Sequence, residues 1–114
     1  MDCLENYRRI IQQVLRPYSN LQYAYDDIHN STVFDPEADR YLIVSSGWGQ
    51  DRRRIHGCLI HVEIVEGKVW IQRDGNEDGI ADELMAAGIP KEHIVLGFKS
   101  PEVRQYTGFA VNGT

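Results

Sequence analysis

Cysteine, proline, long apolar runs and positive charge are all scarce in this chain, and each shortage narrows what it can be. Two cysteines, Cys3 and Cys58, among 114 residues make neither a disulfide framework nor a zinc site. Four prolines and the lack of any low-complexity stretch argue for order up to the last residues, Asn112-Gly113-Thr114. No apolar run approaches the length that crosses a bilayer. The opening Met1-Asp2-Cys3-Leu4-Glu5 lacks the basic and then apolar regions of a secretory signal, so the cytoplasm is the expected compartment. The net charge is -5. Proteins that hold DNA gain affinity by neutralising phosphates, which takes a basic surface. An acidic chain is expected to bind protein first, and DNA only through a local patch.

What is present reads as one ordinary globular domain over residues 1–114: 42% of the residues are hydrophobic and 25% charged. Leu4, Tyr7, Ile11, Val14 and Tyr18 recur at spacings of three and four, with Ile10 and Leu15 beside them, which predicts an amphipathic helix. Asp2 and Glu5 near its start and Arg16 near its end suit the helix dipole. Pro17 should stop or kink it at Arg16. Four strands are expected next: Ile28 to Phe34, Arg40 to Trp48, Arg53 to Val65 and Lys68 to Arg73. A turn over Asp35-Pro36-Glu37-Ala38-Asp39 separates the first two, and Glu66-Gly67 makes the last two a β-hairpin. Period two on the third strand assigns Cys58, Ile60, Val62 and Ile64 to the core and Leu59, His61 and Glu63 to the other face.

Ile80, Leu84 and Met85, closed by Gly88 and Pro90, predict a short second helix. Ile94 to Phe98 follows as a fifth strand, then a turn or a single helical turn over Pro101 to Tyr106 and a last strand over Thr107 to Val111. The fold class is therefore α+β, an antiparallel meander with both helices packed on one face, in the order α-β-β-β-β-α-β. Leu59, Trp70 and Tyr41 are expected on the opposite face, where large apolar groups mark an interface and predict a homo-oligomer, a dimer being simplest.

Candidate chemistry is sparse. His56 and Cys58 share a strand face with His61 on the other, so they do not converge on a metal. Asp74-Gly75-Asn76-Glu77-Asp78-Gly79 opens like a calcium loop, but Met85 stands where that loop needs a bidentate glutamate. Asn76, Glu77 and Asp78 are expected to cap the second helix instead. Ser45-Ser46-Gly47 is not a nucleophile elbow, and no phosphate-cradling glycine loop emerges. The basic cluster Arg52-Arg53-Arg54, with Trp48 before it and His56 after, is a candidate grip on phosphate or an acidic protein surface. No catalytic residue, metal or cofactor is assigned, and the chain is not expected to be an enzyme. A subunit whose His56 or His61 meets carboxylates from a partner is the rival enzymatic reading.

Several segments carry a resemblance. Arg54-Ile55-His56-Gly57-Cys58-Leu59-Ile60-His61, Gly67-Lys68-Val69-Trp70-Ile71-Gln72-Arg73-Asp74-Gly75 and Gly79-Ile80-Ala81-Asp82-Glu83-Leu84 resemble the XisI family. So do Gly88-Ile89-Pro90, Ile94-Val95-Leu96-Gly97-Phe98, Arg104-Gln105-Tyr106-Thr107-Gly108-Phe109-Ala110-Val111 and the opening Leu4-Glu5-Asn6-Tyr7-Arg8-Arg9-Ile10-Ile11. Asn76 stands where threonine is expected in many relatives, and both cap helices. The resemblance implies a controlling factor for excision of the fdxN element, a DNA segment removed by site-specific recombination during heterocyst development in cyanobacteria. It also implies a nuclease-like XisH protein as partner, and it supplies no catalytic residues. The surfaces expected to bind that partner are Trp48, Arg52, Arg53, Arg54 and His56 at one hairpin end, and Arg104 and Tyr106 near the C-terminus, since arginine and aromatic residues dominate interface energetics.

Overall fold

A computed structural model describes residues 3–21, 23, 27–75 and 79–111. The first helix, α1, spans Cys3–Leu15, and the chain continues through a 3₁₀ helix over Arg16–Asn20 with Pro17 in its first turn. Pro17 therefore ends the α-helix where the sequence places the break. The buried stripe is Tyr7, Ile10, Ile11 and Leu15, with Leu4, Val14 and Tyr18 packed at its margins. Arg16 lies over the Phe34 ring at 5.4 Å.

Strands β1 (Asp27–Asp35), β2 (Arg40–Trp48), β3 (Arg54–Val65) and β4 (Lys68–Asp74) form a sequential antiparallel meander. The β3–β4 turn has positive φ at both Glu66 (51°) and Gly67 (81°), the mirror-image turn whose twist matches a hairpin. Helix α2 (Ala81–Ala86) then carries the chain across to β5 (Ile94–Leu96). β5 runs parallel to β4, because a helical crossover returns the chain in the same direction. Helix α3 (Pro101–Arg104) and the segment after it complete the chain. The expected strand over Thr107 to Val111 reduces to one parallel bridge between Ala110 and Val95.

Helices α1 and α2 share one face of the sheet. Tyr41 and Ile43 of β2, Ile60, Val62 and Ile64 of β3, and Val69 and Ile71 of β4 are buried there with Ile80, Leu84 and Ile94.

Two β-bulges change the faces that simple alternation predicts. Ile43 pairs with Ile60 but Val44 with Cys58, so Leu59 is an extra residue in β3. One inserted residue reverses the alternation beyond it. Cys58 and His56 therefore leave the core side, while Leu59 packs against the core. In β4 the extra residue is Gln72, which turns Arg73 outward beside His61 and leaves Asp74 opposite the buried Ile60.

The expected apolar patch of Leu59, Trp70 and Tyr41 is corrected accordingly. Tyr41 is fully buried opposite Val62, and Leu59 is drawn inward by the bulge. Only Trp70 faces away from the helices, and Arg104 covers it. β2 has apolar residues in both registers (Tyr41 and Ile43, Leu42 and Val44), so alternation alone does not choose its buried face. Tyr41 donates its hydroxyl to Asp39 Oδ1 at 3.1 Å, and Arg8 Nε binds the same oxygen at 2.8 Å. Burial first, and this bond second, push the Tyr41 phenol above its ordinary pKa.

No helix among the described residues is long and apolar enough to cross a membrane.

Candidate interaction site at the β2–β3 hairpin end

The residues joining β2 to β3 form a tight loop. Gly49 N–H donates to Arg53 O at 2.9 Å, and Arg52 N–H to Gly49 O at 3.0 Å. Asp51 Oδ1 accepts the Arg53 N–H at 3.1 Å, a side-chain turn of the kind aspartate favours. Arg52 takes a left-handed φ of 65° at the hairpin tip. Arg52, Arg53, Arg54 and His56 are all exposed. Gly49, Gln50, Asp51, Arg53 and Ile55 border a shallow hollow of about 490 Å³.

Register assembles the remaining candidates. Asp27, Trp48 and Arg54 form one cross-strand row, and His29, Ser46 and His56 form the next. The Arg54 guanidinium lies 5.2 Å from the Trp48 ring centroid and donates to Gly47 O at 3.2 Å. This stacks a cation on an indole that remains half exposed. Trp48, Arg54 and His56 therefore share the sheet face away from the helices, with Arg52 and Arg53 at its rim. Sequence reasoning missed Asp27 and His29, because β1 alternates only partly and its register against β2 could not be read.

Arg104 and Tyr106 belong to a separate surface on the segment that covers β4 and β5. Arg104 stacks over Trp70 at 5.2 Å and donates to Lys99 O at 2.9 Å and Gly97 O at 3.3 Å. These contacts make it a clamp for the C-terminal segment. Tyr106 is 82% exposed and is the free surface group of the two. Replacing Arg104 by alanine is expected to cost about 1–2 kcal/mol, from lost hydrogen bonds and stacking, and to lower Tm by several degrees. A lysine there keeps the charge but loses the planar fork, so thermal melts should show only partial rescue by Arg104→Lys.

The catalytic alternatives find little geometry. His56, Cys58 and His61 lie on one face because of the β3 bulge, a correction to their expected division. Yet His56 and His61 are separated by about 16 Å of strand, counted at ~3.3 Å per residue. His61 Nε2 stands 3.8 Å from Glu63 Oε2, beyond hydrogen-bond reach. Glu63 is instead held by Arg40 at 2.7 Å and Gln72 at 2.7 Å. Among the described residues no three His, Cys, Asp or Glu side chains group closely enough to hold a metal ion. Cys58 donates to Ile60 O at 3.1 Å, and burial pushes its thiol up, away from the reactive thiolate. Asp74 Oδ2 accepts the Ile80 N–H at 2.9 Å at the approach to α2. The expected caps Asn76, Glu77 and Asp78 lie outside the described residues. Met85 packs against the core.

Comparison with known proteins agrees with the sequence resemblance. The model of the XisI protein family matches residues 1–111. No curated protein matches the chain. The crystal structure of a XisI-like protein from Anabaena variabilis ATCC 29413 is similar at 34% identity and a TM-score of 0.85, covering 96% of this chain and 99% of its own. That of the fdxN element excision controlling factor XisI from the same strain is 34% identical with a TM-score of 0.83, covering 97% of this chain and all of its own. The chain therefore belongs to the XisI family.

Proposed function

We propose that this chain is a non-enzymatic regulatory subunit that controls site-specific excision of a DNA element, and that it does so in the cytoplasm by binding a nuclease-like XisH-type protein. The name of the solved relative, an fdxN element excision controlling factor, supports the regulatory part. One observation carries the binding part: a chain of net charge -5 gathers Arg52, Arg53, Arg54 and His56 with a half-exposed Trp48 at one hairpin end. Exposed guanidinium groups beside an indole suit an acidic protein surface, where arginine forms bidentate pairs with carboxylates and tryptophan supplies apolar area.

The test is co-purification of the tagged chain with its XisH-type neighbour, followed by calorimetry. Alanine at Arg52, Arg53 and Arg54 together should weaken the complex at least about tenfold, with circular dichroism unchanged. An unchanged affinity would remove this hairpin end from the interface. Direct DNA contact is the second reading, favoured by the same arginines. It predicts a gel-shift complex at low salt whose affinity falls steeply as salt rises.

A further inference from the structure

The two edges of the sheet are protected very differently. β5 is three residues long, and Ala110 bridges to its central residue Val95. β1 is nine residues long, and all nine pair with β2 without a register shift. No described strand lies along its other side. Apart from β2, the Arg16–Asn20 3₁₀ helix is the described element packed closely on it. Asp27–Asp35 contains no proline, lysine or bulge, three of the devices that blunt an open edge, and its two carboxylates stand at its ends.

We propose that this edge is filled by β1 of a second copy, running antiparallel, so that two five-stranded sheets join into one. Charge selects the register. A two-fold axis beside Thr32 sets His29 opposite Asp35 of the second copy, twice, and Ser31 opposite Val33, all on the face away from the helices. Moving the axis to Ser31 would oppose Asp27 with Asp35 at both ends and set carboxylate against carboxylate. His29 is 80% exposed on its side chain, with Nε2 3.3 Å from the equally exposed Asp27 Oδ1 of its own strand, a contact it exchanges for Asp35 of the second copy; Asp35 is exposed and Val33 is half exposed. Asp35 uses one oxygen, Oδ1, for the Glu37 and Ala38 N–H groups of its turn. The paired span of 29–35 leaves Trp48 and Arg54 open, so this inference does not rest on the partner reading above.

Light scattering and sedimentation across a concentration series should give twice the 13.1 kDa chain mass. His29→Asp should weaken self-association about tenfold or more, whereas His29→Gln, which can still donate a hydrogen bond to Asp35, should largely retain it. Thr32→Cys should crosslink the dimer under mild oxidation, because directly opposed Cα atoms stand about 4.5–5.5 Å apart, within disulfide reach. Ser31→Cys, on the other face and off the axis, should not. A dimer indifferent to His29→Asp and not crosslinked through Thr32→Cys would place the interface elsewhere and overturn the proposal. A monomer at every concentration would overturn it too and leave the edge to a strand from another protein.

Discussion

Gly47→Ala is expected to destabilise the protein by about 3 kcal/mol or more and to lower Tm by on the order of 10 °C. Gly47 is buried in β2 at a φ of 150°, a conformation that side-chain-bearing residues rarely adopt. A Cβ there would run into the Asp27 carbonyl oxygen and stand 2.8 Å from Ile28 Cα. Both obstacles are backbone of the adjoining strand, so no rotamer change relieves them. β1 must lift away from β2, and with it goes the row that carries Trp48 and Arg54. Gly57 supplies the control. It lies on β3 two residues from Ile55, the cross-strand partner of Gly47, and a Cβ there meets nothing within 4 Å. Gly57→Ala should therefore be neutral or slightly stabilising, since alanine restricts the unfolded chain. Thermal melts of the two variants separate steric exclusion from any general dislike of alanine in these strands.

Tyr41→Ala is expected to cost about 3–5 kcal/mol, a large part of the ~5–15 kcal/mol that stabilises a typical domain. The ring is fully buried and packs at 5.9 Å from Phe34, so its removal leaves a cavity in the close-packed core. Tyr41→Phe keeps that packing and loses only the bond to Asp39, which still has Arg8; the cost should be about 1 kcal/mol. The pair also differs in pH dependence. The folded phenol titrates above its unfolded value, so its contribution is fully present below the unfolded pKa of about 10 and is lost as pH rises through the higher folded value. Urea unfolding from neutral to strongly alkaline pH should show that added slope in the parent chain and not in Tyr41→Phe. Equal slopes would mean that Tyr41 ionises as freely in the folded chain as in the unfolded one.

Much of the architecture was legible in the residues. The Tyr7, Ile11 and Val14 spacing announced α1, Pro17 ended it, and Glu66-Gly67 fixed the β3–β4 hairpin, because each signal acts within a few residues of itself. Strand boundaries held to within a residue or two for the same reason. The candidate site was legible in part. Trp48, Arg54 and His56 were chosen for their chemical types, and cross-strand pairing does bring them onto one face. Arg104 was chosen for the same types, and the structure adds its stacking on Trp70 and its bond to Lys99 O, contacts that no reading of residue type along the chain contains.

What the sequence determined by itself was local: which segments are helix, strand or turn, the α-β-β-β-β-α-β order, and the family. What only the tertiary structure decided was which side each strand shows to the core and which strands lie at the edges. A single inserted residue, Leu59 in β3 or Gln72 in β4, reverses every side chain beyond it, and a bulge is defined by two strands pairing unequally. No one-strand pattern contains that information. The inward turn of Tyr41, the outward turn of Cys58 and Arg73, and the open edge of β1 all follow from contacts between segments far apart in the chain.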